Sequence, residues 1–249
     1  MKTILLVIAG SLLVTISFSQ NRKKLQRSWI KKTVVNLTGN EPQIESDTLY
    51  IRYTFDGPNA YISFYPGWDT DKFTQEWSVN GNQLTIGFST YTIETLTDTS
   101  LTIALAGFRR MEFLSEEYLS SQDQNLISLG EFNGKPLYLA NKFISPRYSK
   151  HISLYDKVQE GLELGNIRER QNLLISFIVT EEGGIENMQL VNGVSAEHDR
   201  TIMERIQKTS KTWKPAYFKG KPIQTQLFFE VKYLPSLAPG MPNRSNLQN

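Results

Sequence analysis

His151 and His198 are the only imidazoles in the chain, and it contains no cysteine. The missing thiols remove a Cys nucleophile, thiolate-bound zinc, Fe–S ligation and a disulfide framework together. They also remove lipid attachment at an N-terminal Cys. No third His and no His-Glu-x-x-His pattern joins the two imidazoles, so their spacing does not make a zinc site. Both are expected to be exposed or helix-capping, His151 at the mouth of one helix and His198 in the first turn of another. Asp69-Thr70-Asp71 lacks the glycine and the closing Glu of a calcium loop and reads as a solvated loop. From Gly130 to Lys135 a phosphate loop is imitated. Only three residues separate its glycines, and Pro136 stands where a hydroxyl would hold magnesium. Gly-x-Ser-x-Gly is absent, and Glu181-Glu182 reads as a hairpin turn. These residues predict no catalysis, no metal and no cofactor. The chemistry left is recognition.

Composition agrees with a folded chain that binds something other than nucleic acid. Of 249 residues, 39% are hydrophobic and 21% charged, enough to build a core, and the net charge is only +2. A chain that neutralises phosphate backbones needs a concentrated basic surface. Thirteen Phe, eleven Tyr and four Trp favour strands, where aromatic and β-branched side chains pack on a pleated surface.

The first twenty residues read as a cleavable export signal. Lys2 precedes an apolar run over 4–16, and Ser17-Phe18-Ser19 places small residues before Gln20. Cleavage after Ser19 is expected, so residues 1–19 are assigned to a signal peptide. The run is shorter than the ~20 residues a spanning helix needs. The basic residues that follow, Arg22, Lys23, Lys24, Arg27, Lys31 and Lys32, would sit on the wrong side of an anchor with its domain outside. They are expected on a solvated strand face. An uncleaved anchor is the alternative, and no later stretch is apolar enough to span a bilayer.

Residues 20–115 read as a small all-β barrel. Strand-like runs cover 29–35, 48–55, 60–65, 76–79, 83–86, 90–96, 101–106 and 110–114, separated by short turns. The clearest signal is Asn80-Gly81, because Asn-Gly accepts the positive φ values of a tight hairpin. About eight strands in that length predict a meander closed on itself. A barrel of that size is filled by its own side chains or holds one small ligand.

Residues 116–149 read as a connecting segment with a small hairpin or turn near Asn133-Gly134. From Ser153 the period changes. Leu154, Val158 and Leu162 mark one helix, with Ser153 as N-cap and Gly165 as its stop. A strand follows over 173–179, then a Gly183-Gly184 turn, a return strand over 185–191, and a helix over 196–208 with Ile202, Met203 and Ile206 inward. Trp213-Lys214-Pro215 breaks that helix, Gly220-Lys221-Pro222 turns the chain, and a last strand runs over 224–233. In that strand Leu227, Phe229, Val231 and Tyr233 are expected on the core face. The overall class is α+β, with an α-β-β-α-β C-terminal unit over 150–234 on a three-stranded antiparallel sheet. The tail 235–249 carries Pro and Asn without apolar period and is expected to be disordered.

Two resemblances follow. Trp29, the 77–86 hairpin and Tyr91-Thr92-Ile93 resemble the compact lipocalin-like domains of bacterial envelope proteins, which implies a pocket for a small apolar ligand. Phe177-x-Val179, Glu182-Gly183-Gly184-Ile185, Asp199, Trp213-x-Pro215-Ala216, Gly220-Lys221-Pro222 and Phe229-x-Val231-x-Tyr233 resemble the C-terminal domain of the TonB family of energy transducers. That resemblance implies binding of a short segment of an outer-membrane transporter by strand addition to a free sheet edge, placed here on 224–233. The residues expected to meet the partner are Gln224, Gln226, Phe228, Glu230 and Lys232, with Gln226, Glu230 and Lys232 on the outer face discouraging random pairing. Where a transducer has an uncleaved N-terminal helix and a long Pro-rich stretch, this chain has a cleavable-looking signal and a β-barrel, so partner binding is the role carried over. The expectation is an exported, non-enzymatic protein in the periplasm or outer envelope of a Gram-negative bacterium, touching the membrane at most peripherally. A carrier of a small apolar ligand and an anchored transducer for transmembrane transport are the alternatives.

Overall fold

The computed structural model describes residues 21–39, 41–44, 49–67, 73–150, 152–162, 171–233 and 245–246. The signal segment, Asp69, Thr70, Asp71, His151 and Gly165 lie outside them. The chain divides into two compact units: residues up to 121 except 66–70, and residues 66–70 with 122 onward.

The first unit is a closed antiparallel barrel. A helical turn, α1 (residues 21–25), leads into β1 (Ser28–Asn36), which pairs with a short β2 (Gln43–Ile44). The meander continues through β3 (Arg52–Asp56), β4 (Asn59–Ser63), β5 (Phe73–Asn80), β6 (Gln83–Ile86), β7 (Ser89–Leu96), β8 (Ser100–Leu105) and β9 (Arg109–Ser115). β1 pairs with β3 on one side and with β9 on the other, which closes eight strands into a cylinder. Two-residue turns suit the right-handed twist of paired strands when φ is positive at their first position. Gly57, Gly81 and Gly87 supply that φ. In the 80–83 turn the central pair is Gly81-Asn82, with positive φ at Gly81 alone. The Asn-Gly signal was right about the hairpin and one residue early about its corner.

The barrel interior is aromatic. Trp29, Tyr53, Phe55, Trp77, Tyr91 and Phe113 join Leu84, Leu101, Ile103 and Met111 in one buried cluster. Ring centroids lie 4.8 Å apart for Phe55–Trp77 and 5.2 Å for Tyr53–Phe113. Each large apolar side chain buried this way contributes roughly 1.5–3 kcal/mol. α1 latches one end of the cylinder. Asn21 donates to the Gly81 carbonyl and Arg22 to the Gly57 carbonyl, each at 3.1 Å, and the Arg22 guanidinium lies 4.8 Å from the Trp77 ring centre. Arg27 donates to the Asp98 carbonyl in the next turn. Arg22 and Arg27 are therefore tied to barrel turns, not spread along a solvated strand face. The unit continues through a short α2 (Glu116–Leu119), N-capped by Ser115.

In the second unit the segment over 122–149 is structured. It carries β10 (Ser128–Phe132), β11 (Lys135–Leu139) and β12 (Arg147–Tyr148). Next come α3 (Leu154–Gln159), β13 (Gln171–Val179), β14 (Ile185–Asn192), α4 (Ala196–Gln207), β15 (Trp213–Lys214), β16 (Ala216–Phe218), β17 (Lys221–Tyr233) and β18 (Ser245–Asn246). The expected three strands, β17, β13 and β14, form one side of a larger sheet with the order β10-β11-β17-β13-β14, to which β16 and β18 add through β17. α3 is shorter than its apolar spacing implied, because Gly161 turns the chain at a φ of +66°. Ser153 caps it by accepting from the Asp156 N–H at 2.9 Å. Leu154 and Val158 of α3 and Ile202 and Ile206 of α4 bury against Leu173, Ile175, Phe177, Phe229, Val231 and Tyr233 of the sheet.

Candidate functional site

Thirteen residues long, β17 is the strand that the whole C-terminal sheet is organised around. Its alternation follows from its sequence. Phe229, Val231 and Tyr233 are buried in the core, and Phe228 on the opposite face is 48% exposed. One side of β17 is used throughout residues 225–233. β13 runs antiparallel to it from Gln171↔Tyr233 to Val179↔Thr225.

The other side is only partly free, which corrects the expected open edge over 224–233. Residues 221–223, beyond the reach of β13, pair with β16. β11 then pairs in parallel with residues 224–226, and the Ala140 N–H adds a bond to the Gln226 carbonyl at 2.9 Å. β18 pairs with Lys232 and Tyr233. Among the described residues, residues 227–231 have no strand beside them on this side. The open stretch is about 17 Å long at ~3.3 Å per residue.

The five expected partner-facing residues therefore divide. Gln224 is buried, and its amide donates to the Phe132 and Lys135 carbonyls at 3.0 and 2.9 Å. It ties the β10–β11 hairpin to the sheet and is not available to a guest. The Gln226 carbonyl is engaged by Ala140. Phe228 and Glu230 lie within the open stretch, and Lys232 lies at its end. Glu230 accepts from Asn172 at 2.7 Å and pairs with Lys232 at 3.3 Å, so this part of the outer face is already arranged.

The two outermost strands of the sheet present edges of a different kind. β14 has register shifts against β13 in two places, and Asn187 sits at a φ of +47°. Bulges and a left-handed residue bend an edge away from regular pairing. β10 also carries a register shift, between Ser128 and Gly130. The ladder between β13 and β17 runs through nine pairs without a register shift.

Behind the open stretch the strand is locked in place by a buried polar chain. His198 is buried, contrary to the exposed or capping role expected from its place in the first turn. Its Nε2 lies 3.1 Å from the Tyr233 hydroxyl and its Nδ1 3.5 Å from Asp199. The Tyr233 hydroxyl also accepts from the Gln159 amide at 2.5 Å. Burial pushes the Tyr233 phenol far up from its ordinary range. Asp199 accepts the Val194 N–H with both oxygens at 3.0 Å. Helices α3 and α4 are thus bonded to the far end of β17.

Trp213 holds the other end. Its indole N–H donates to Thr209 at 3.0 Å, and its ring packs on Tyr148 and Phe177 with centroids 5.6 Å apart in each case. Gly183 has no Cβ because the Trp213 carbonyl occupies that space: an added Cβ would lie 2.1 Å from it. The turn and the tryptophan motif are two sides of one contact. Among the described residues no three His, Asp or Glu side chains come together in a way that would hold a metal ion. No family model, no curated protein and no solved structure matches the chain.

Proposed function

We propose that the protein is an exported, non-enzymatic cell-envelope protein that captures an extended segment of a protein partner by strand addition to residues 227–231 of β17. The observation that supports this reading is the interrupted ladder. A long central strand, rigidly held on one side by β13, lacks a neighbour over five residues on the other among the described residues. Backbone N–H and C=O groups left unpaired on a strand are the standard template for a guest strand. The order β14-β13-β17 under two helices is the arrangement that the TonB resemblance implies. That resemblance supplies the partner class, a short segment of an outer-membrane transporter.

The reading narrows the dock relative to the full strand. β11 and β18 frame it, so a guest contributes about five residues to the ladder, and Phe228 supplies the side-chain contact on the outer face. Selection of peptides from a displayed library against the full chain tests this. The expected binder loses affinity when alternate backbone nitrogens are methylated, and weakens about fivefold against Phe228→Glu, the size of one cross-strand pair. Binding that ignores backbone methylation contradicts strand addition.

A second reading keeps a small apolar ligand in the barrel. The buried Trp77 indole N–H, which has no acceptor among the described residues, favours it. The aromatic filling of the same interior argues for a self-packed cylinder. Native mass spectrometry of the purified chain separates the two by the presence or absence of a co-purified small molecule.

A further inference from the structure

A cleft of about 750 Å³ opens in the second unit between α3, the C-terminal end of α4 and β12. Its volume lies in the range of small-molecule sites, roughly 300–1,000 Å³. Four cations line it, Lys150, Lys157, Arg205 and Lys208, against one carboxylate, Glu160. The whole chain has a net charge of +2, so an excess of three positive charges in one concavity is a concentration that the global balance hides.

The cations are placed by the fold. Arg205 is held by donating to the Val158 and Glu160 carbonyls at 2.9 and 2.6 Å, which caps the end of α3. Lys157 pairs with Glu160 at 3.1 Å on the rim. The Lys208 ammonium has no ion pair or hydrogen bond among the described residues. Thr209 and Thr212 spend their hydroxyls on the Ile206 and Thr209 carbonyls, so the polar character of the cleft comes from its charged side chains. Tyr148 and Ile152 complete the lining with apolar surface, and Ile152 is half exposed.

We propose that this cleft binds a small phosphorylated ligand, with the phosphate among Lys150, Lys157, Arg205 and Lys208 and the carbon body against Tyr148 and Ile152. The charge count selects the chemistry. A single carboxylate would leave most of the positive excess unneutralised. A phosphomonoester carries roughly −1.5 to −2 and presents three strong acceptor oxygens, which several converging ammonium groups can share. The source is a soluble phosphate ester or a phospholipid headgroup, since both present the same group.

Calorimetric titration of the full chain with phenyl phosphate and with benzoate tests the assignment. Phenyl phosphate is expected to bind at least about tenfold more tightly than benzoate, and more weakly as salt rises. Lys157→Gln and Lys208→Gln, both surface changes with circular dichroism as the folding control, are expected to weaken it by about fivefold each. Vesicles of phosphatidylcholine doped with phosphatidic acid form the second arm. Vesicle binding that phenyl phosphate competes away identifies a lipid headgroup as the source. Phenyl phosphate binding without vesicle binding identifies a soluble ester. Equal affinity for benzoate, no detectable binding of phenyl phosphate, or binding unchanged in both lysine variants overturns the proposal.

Discussion

Tyr53 shows what one buried phenol does to the barrel. It packs among Phe55, Phe113 and the rest of the aromatic interior, and burial pushes its hydroxyl up from 10.0 to about 12. In the unfolded chain the phenol ionises near pH 10, whereas in the barrel it stays neutral. Between those values the unfolded state releases a proton that the folded state keeps. Stability is therefore fully present below pH 10 and is lost as pH rises towards about 12, by roughly 2–3 kcal/mol at most. Urea titrations of the wild type and of Tyr53→Phe across that window are expected to diverge, with the variant losing less. His198 makes the complementary point about reading a sequence. His198, Ile202 and Ile206 share the i, i+4, i+8 face of α4, and Ile202 and Ile206 were assigned inward from that spacing. The same spacing carried His198 inward, to Tyr233. A polar residue in a first turn suggests a solvent-facing side chain, but a buried imidazole needs only partners for its two nitrogens.

Among the elements, the turns were the most legible and the long-range pairings the least. Local chemistry fixes a hairpin. Asn133-Gly134 has φ values of +52° and +72° and joins β10 to β11 as the sequence suggested. Nothing local says where that hairpin goes. Its parallel alignment with β17, Leu137↔Gln224 through Leu139↔Gln226, joins positions far apart in the chain, and no periodicity encodes such a partner. That is why residues 116–149 read as a connection and 224–226 as an edge. The Gly183 turn is the reverse case, where a sequence motif carried more than turn geometry. With its φ of +78° and the Trp213 carbonyl in the place of a side chain, Gly183→Ala meets both a backbone penalty and a collision. It is expected to destabilise the second unit by about 3 kcal/mol or more. A lower urea midpoint with an unchanged slope would show it. A change below about 1 kcal/mol would mean that the turn relaxes away from Trp213.

The whole chain joins a closed cylinder and an open sheet, and the difference bears on function. A closed barrel has no edge to offer, so its contacts are with its own side chains or with a ligand inside. An open sheet must deal with every edge. Here the outer strands carry register shifts or a left-handed residue, while β17 keeps a straight ladder against β13 and, among the described residues, an uncovered stretch between two partial neighbours. Without cysteine, both units are held by packing, hydrogen bonds and ion pairs, with no disulfide. Among the described residues no helix is long and apolar enough to cross a membrane. The expected export signal falls on residues 1–19, outside those described. Composition, strand spacing and the aromatic content made the barrel legible. The candidate dock was half legible, because alternation in 224–233 gave the faces correctly but could not show which side already had a neighbour.

Hydrogen exchange at the amides of residues 227–231, measured on the full chain with and without a library-selected peptide, tests strand addition most directly. The account predicts that the alternate amides of this stretch that face away from β13 slow together when the peptide binds, while those bonded to β13 change little. Peptide binding that leaves all of them exchanging as before, or a free protein in which they are already as protected as the β13 ladder, would contradict it.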